Sequence, residues 1–361
     1  MHTAVPETLR QHARPQSPRP TGCEPVLARL PDIRAVLFDI YGTLFVSGAG
    51  SIGATSRTFT GTAFSAALDS VGLAYHGPGD AGVERFTGIV RDLHAAARQS
   101  GCEYPEVDVL DVWHRTLAAL MEYGLLAQTD VSREQLTRLA VEFEGRTNPV
   151  WPMPHVLDCC RALHAQGILL GVISNAQFYT PALFPAFFDK TLEELGFDPE
   201  LQFYSYRFSA AKPGLSMHLA ARETLARRGI APGATVYVGN DLHKDVITAA
   251  RVGFRTALFA GDQRSLRLTP CPDHADIVPD LVLTDLAQLP PCVLAERRGC
   301  RSCVPEAFFD HPENVAINRQ VDGRLRRLAE VTRKIRELAK TSFSYSVLRR
   351  KLRALLDNVT G

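Results

Sequence analysis

The chain has 361 residues, 45% apolar and 22% charged, with a formal net charge of +1. That is the composition of an ordinary globular protein, long enough for one large or two small domains. No run of about 18 apolar residues occurs, which excludes a membrane-spanning helix by the length such a helix needs, and MHTAVPETLRQHARPQSPRPTG at the start lacks the apolar stretch of a secretory signal.

The charge is unevenly spread. Residues 33–290 hold 21 Lys or Arg against 28 Asp or Glu, whereas residues 291–361 hold 15 against 8. The chain is therefore expected to be cytoplasmic, with an acidic body and a basic tail. In chain order, residues 1–32 read as a disordered arm, rich in Pro, Arg and Gln with little apolar periodicity. AVLF (35–38), ILLGVIS (168–174), QFYSY (202–206), TVYVG (235–239), TALF (256–259) and LVLT (281–284) read as buried strands. VLDCCRALHAQG (156–167) and SMHLAARETLARRG (216–229) read as helices between them, each closed by a glycine. Alternating strands and helices predict an α/β fold, a doubly wound parallel sheet covered on both faces. The adjacent Cys159 and Cys160 fit reduced, buried thiols.

Residues 47–150 break the alternation. Val83, Phe86, Val90, Leu93 and Ala97 share one helical face, as do Leu110, Trp113, Leu117 and Leu120. The segment reads as a helical insertion that splits a core of residues 33–46 and 151–290. Its loop CEYPEV (102–107) precedes a helix, and loops in such a place usually set substrate choice.

Residues 291–361 form a basic helical extension, with apolar positions at Val321, Leu325, Leu328, Thr332, Ile335 and Ala339 among Arg and Lys. This extension suits a protein partner or self-association. It lacks interleaved aromatics for base stacking, so no nucleic acid is expected.

Four polar motifs fall at the carboxyl ends of successive strands: Asp39 with Tyr41-Gly42-Thr43, Ser174-Asn175, Lys212-Pro213, and GNDLHKD (239–245). A carboxylate at a strand end can act as a covalent nucleophile. A lysine supplies a compact positive charge for carboxylate and phosphate alike. Asp241 and Asp245, four residues apart and close to Asp39, would repel one another unless a cation joined them.

In this order and spacing the motifs resemble those of the haloacid dehalogenase superfamily over about residues 33–290, the insertion matching the helical cap that many members carry. The resemblance implies a hydrolase acting through an Asp39 covalent intermediate on a small anionic substrate, with Lys212 and Asp245 catalytic and Thr43, Ser174 and Asn175 binding substrate. It implies Mg²⁺ held by Asp39, the main-chain carbonyl of Tyr41, Asp241 and Asp245.

One position departs from the phosphatases of that family, which carry a second Asp where this chain has Tyr41. That Asp protonates the leaving oxygen and then activates water, work for which a phenol of pKa about 10 is poorly matched. The Asp-x-Tyr-Gly-Thr-Leu form resembles the L-2-haloacid dehalogenases, while Asp241 keeps the last motif phosphatase-like. The expectation is Mg-dependent hydrolysis of a small phosphorylated metabolite. The alternatives are hydrolytic dehalogenation and a catalytically weak binding protein whose basic tail holds a partner.

Overall fold

A computed structural model describes residues 4–47, 60–127, 130–269, 271–274 and 276–294. The basic helical tail therefore lies outside the described residues. Six parallel strands form the main sheet: β1 (Ala35–Phe38), β4 (Leu169–Ser174), β5 (Phe197–Tyr204), β6 (Thr235–Gly239), β7 (Arg255–Phe259) and β8 (Leu281–Leu283). Their order across the sheet is β5-β4-β1-β6-β7-β8, which puts β1 and β6 at the centre. β5 begins five residues earlier than the sequence pattern suggests. It tolerates Pro199 because that residue falls in a register shift between the Phe197 and Gln202 pairs with β4, at the edge of the sheet.

Both faces of the sheet are buried, and the side-chain period of two divides the core accordingly. Val36, Phe38, Val236 and Val238 pack on one side with Cys160 and Leu163 of α6 (Val156–His164) and Phe184 of α7 (Leu183–Phe188). Leu37 and Tyr237 point to the other side, where α8 (Ser216–Arg227) contributes Met217, Ala221 and Leu225.

The helical insertion leaves and re-enters through a small antiparallel ribbon, β2 (Phe45–Ser47) paired with β3 (Val150–Pro152). Between these strands lie α2 (Gly61–Ser70), α3 (Gly79–Gln99), α4 (Val109–Glu122) and α5 (Arg133–Thr147). They enclose a core of their own. Trp113 is fully buried, stacked on Phe64 at 5.4 Å and meeting Phe143 edge-on at 5.2 Å, an arrangement that aromatic quadrupoles favour beyond area burial alone.

The N-terminal arm is a correction. Residues 4–12 form α1 (Ala4–His12), with Val5 and Leu9 buried in the main core. His12 Nε2 lies 2.8 Å from Glu142 on α5, and Arg10 Nε donates to the Ala186 carbonyl at 2.6 Å. Further along, Val26 bridges Val282 on the outer side of β8, and the Asp262 carboxylate accepts from the Arg19 N–H. The arm's composition suggested disorder because it offers few apolar residues. Its order comes instead from Val5 and Leu9, one helical turn apart, and from backbone hydrogen bonds that composition does not register.

Leu9→Ala is expected to lower stability by about 2–5 kcal/mol, the usual range for a buried Leu truncation, read from the urea unfolding midpoint. An unchanged midpoint would mean that α1 is not part of the cooperative unit.

Candidate active site

The four motifs converge at the carboxyl end of the sheet, around the centre where β1, β4 and β6 lie side by side. Asp39 directly follows β1 and is 6% exposed. Its Oδ1 accepts two hydrogen bonds, from Lys212 Nζ at 2.7 Å and from Ser174 Oγ at 2.9 Å. Among the described residues Oδ2 accepts none. The carboxylate is thus fixed by one oxygen and free at the other.

Lys212 Nζ also donates to Asp245 Oδ1 at 2.7 Å and to Tyr237 Oη at 2.9 Å. One buried ammonium therefore serves two buried carboxylates. Burial alone would lower the Lys212 pKa, but Asp245 and Asp39 outweigh it and hold the amine charged, its pKa raised. Burial pushes Asp39 up to about 6, with Lys212 pulling it down and Asp245 pushing it further up.

Asp245, expected as both a metal ligand and a catalytic group, has its oxygens committed otherwise. Oδ1 takes Lys212 and Tyr237 Oη at 3.2 Å, and Oδ2 takes the Asp241 N–H at 2.9 Å. It is 1% exposed and positions Lys212. Gly239 makes this possible, because a Cβ there would lie 2.4 Å from the Asp245 carboxyl carbon. The residue is small for close approach.

The three residues expected to bind substrate also have protein partners. Ser174 orients Asp39, and Thr43 Oγ1 donates to Asn240 Oδ1 at 3.2 Å, both hydroxyls fully buried. Asn175 accepts from the Lys212 N–H at 2.8 Å and donates to the Lys212 carbonyl at 3.2 Å, clasping the main chain of the loop that carries the lysine. A buried hydroxyl or amide must find a partner at once, and these find theirs beside Asp39. Gly42 has φ +86, and a Cβ there would meet Ser265 Cβ at 2.6 Å, so glycine is needed for both conformation and space.

The Tyr41 side chain turns inward. Its hydroxyl lies 3.0 Å from Thr180 Oγ1, and burial, then the Glu144 charge, raise its pKa well above the ordinary value. Its main-chain carbonyl, by contrast, accepts no hydrogen bond among the described residues. Asp241 uses Oδ1 to cap the N–H groups of His243 and Lys244, both at 2.9 Å, and leaves Oδ2 without a hydrogen bond among the described residues. Asp39, Tyr41 and Asp241 all line one cavity of about 290 Å³. Three uncommitted oxygens on these residues are hard donors of the kind Mg²⁺ takes, so the set fits that ion through Asp39, Asp241 and the Tyr41 carbonyl. No cluster of three His, Cys, Asp or Glu side chains able to hold a metal occurs among the described residues; the third donor here is main chain.

Sequence reading missed two contributions. Tyr237 reads as strand core, yet its hydroxyl accepts from Lys212 Nζ and lies 2.7 Å from the Ile173 carbonyl and 3.2 Å from Asp245 Oδ1, its one proton shared between those two acceptors. Gln177 clamps the insertion loop, donating to the Val107 carbonyl at 2.8 Å and accepting from the Val109 N–H at 3.0 Å. The same loop reaches the lysine's own loop, where the Ala211 N–H donates to the Tyr104 carbonyl at 2.8 Å.

Residues 33–253 match the family model described as haloacid dehalogenase-like hydrolase. The chain belongs to that family. Among solved structures, a 2-haloacid dehalogenase from Pseudomonas syringae pv. Tomato DC3000 is 22% identical, covering 72% of this chain and 97% of its own, with a TM-score of 0.46. An L-2-haloacid dehalogenase from Xanthobacter autotrophicus is 20% identical over 72% and 97%, with a TM-score of 0.40. A predicted phosphoglycolate phosphatase from Haemophilus somnus 129pt is 15% identical over 71% and 96%, with a TM-score of 0.37. A comparison with curated proteins finds no match.

Because its pKa is raised, Asp39 should be protonated below about pH 6 and ionised above it. A ¹³C-carboxyl NMR titration of the metal-free protein is expected to show that midpoint. Lys212→Met should move it upward by about one unit or more, since the ammonium favours the charged form. A midpoint near the ordinary 3.8 would contradict the assigned environment.

Proposed function

We propose that this haloacid dehalogenase-like hydrolase cleaves a small phosphorylated metabolite through a covalent intermediate on Asp39, with Mg²⁺ as cofactor. The reading rests on one observation: Asp39 and Asp241 line the same cavity, each keeping one carboxylate oxygen free of hydrogen bonds among the described residues.

The Asp39 carboxylate attacks phosphorus while Lys212 and Ser174 hold it through Oδ1, so the nucleophile arrives already oriented. The bond from phosphorus to the leaving oxygen breaks as the new bond to Asp39 forms. Lys212 stays protonated throughout and offsets charge at Asp39. Mg²⁺ bound by Asp39, Asp241 and the Tyr41 carbonyl would neutralise the phosphoryl oxygens and lessen their repulsion from the nucleophile. Water then attacks phosphorus, releasing phosphate and restoring Asp39.

Neither step finds a good proton carrier at position 41. Tyr41 is held by Thr180 and its pKa is raised, so it neither protonates a leaving oxygen nor activates water near pH 7. The favoured substrate is one whose leaving group departs as an anion, such as an acyl phosphate. The helical insertion acts as a cap, its 104–109 loop closing over the lysine's loop and excluding water.

The same Tyr41 and Lys212 geometry favours a second reading, hydrolytic dehalogenation. Halide needs no proton, and Lys212 balances the nucleophile without a metal. There Asp39 attacks carbon, halide leaves, and water hydrolyses the resulting ester at the Asp39 carbonyl carbon.

Acetyl phosphate hydrolysis, followed as phosphate release, is expected to require Mg²⁺. It should fall at least about 100-fold in Asp39→Asn and in Asp241→Asn, because each removes a charge that acts on the reacting phosphoryl group. Halide release from L-2-chloropropionate that ignores chelator and survives Asp241→Asn would replace this reading with the second.

A further inference from the structure

Two cations in the cavity have no part in the chemistry above. Lys244 and Arg267 line it together with Asp39, Asp241 and Lys212. Lys244 is fixed by its main chain, whose N–H is capped by Asp241 at 2.9 Å. Its ammonium makes no hydrogen bond or ion pair among the described residues, although its charge is felt by both Asp241 and Glu106. It is half-buried, so the charge is neither spent on a protein partner nor fully given to water.

Arg267 is held more firmly. Its N–H donates to the Asn240 carbonyl at 3.0 Å, and its carbonyl accepts from the Leu242 N–H at 2.8 Å, tying the loop to the last motif. Its Nη1 donates to the carbonyls of Arg264 at 2.7 Å and Leu266 at 2.9 Å. One edge of the guanidinium is thereby fixed on the loop, and Nε and Nη2 remain free of hydrogen bonds among the described residues. A planar donor edge held in this way is preorganised for a carboxylate or phosphate, because little side-chain entropy is lost when the anion arrives.

We infer that Lys244 and Arg267 form a second anion subsite in the Asp39 cavity, and that the substrate is a small molecule carrying two anionic groups. The inference rests on the proposed function for the first group, the one that reacts at Asp39. The second group, a carboxylate or a phosphate, is held at the Lys244 and Arg267 end. The cavity of about 290 Å³ lies at the low end of ligand sites, which suits a small metabolite rather than a nucleotide.

The test is calorimetric binding of non-hydrolysable probes to the Mg²⁺-loaded full chain. Ethylphosphonate carries one anionic group, 3-phosphonopropionate adds a carboxylate, and ethylenediphosphonate adds a second phosphonate. At least one two-anion probe should bind about tenfold or more tightly than ethylphosphonate, and the tighter of the two identifies the second group. Lys244→Met and Arg267→Met should each reduce that ratio towards one, while Lys244→Arg retains it.

Equal binding of all three probes by the wild-type chain would overturn the subsite. So would a ratio that persists in both methionine variants with unchanged melting temperatures. Because binding is read without turnover, failure of acetyl phosphate hydrolysis would count against the proposed reaction alone.

Discussion

The site depends on a single buried ammonium. Lys212 Nζ lies 2.7 Å from Asp39 and 2.7 Å from Asp245, with Tyr237 completing its hydrogen bonds. Without it two buried carboxylates would be left with no cation beside them. The rest of the scaffold holds that nitrogen in place. Asn175 clasps the lysine's main chain, Gly239 lets Asp245 lie against the strand end, and the insertion loop bonds to the residue before the lysine. Breaking one partner of such a buried group typically costs 3–5 kcal/mol, so architecture and chemistry share one constraint.

The same constraint divides labour among the carboxylates. Asp245 is consumed in holding Lys212, and Asp39 spends one oxygen on the same task. Asp241 spends one oxygen on the turn that follows β6. Among the described residues, what remains free is one oxygen each on Asp39 and Asp241 and the Tyr41 carbonyl. Three acidic residues in one motif neighbourhood are therefore not three equivalent ligands or bases, and hydrogen bonding decides which atoms face a substrate.

The sheet was legible in the sequence because each central strand is a short apolar run buried on both faces, and the motif residues were legible because each sits just beyond such a run. Ser174 and Lys212 could be placed near Asp39 on that basis. Their partners could not, since Thr43 meets Asn240 and Tyr237 meets Lys212 only through strand register. The α5 start went unread, although Ser132 with Gln135 three residues on forms a capping box there. The N-terminal arm was misread because its hydrogen bonds to residues 260–292 are main-chain or long-range and leave little compositional trace.

The central claim is that Asp39 is a covalent nucleophile in a site with an impaired second step. With Tyr41 held by Thr180 and Asp245 committed to Lys212, neither is a ready base for water, and the intermediate is expected to outlast its formation. The most direct measurement is peptide mass spectrometry of enzyme quenched in acid during steady turnover of acetyl phosphate. The account predicts a phosphoryl adduct on the peptide containing Asp39, populated in a large fraction of the enzyme. Turnover that continues with no adduct on Asp39, or with the adduct on another residue, would contradict it.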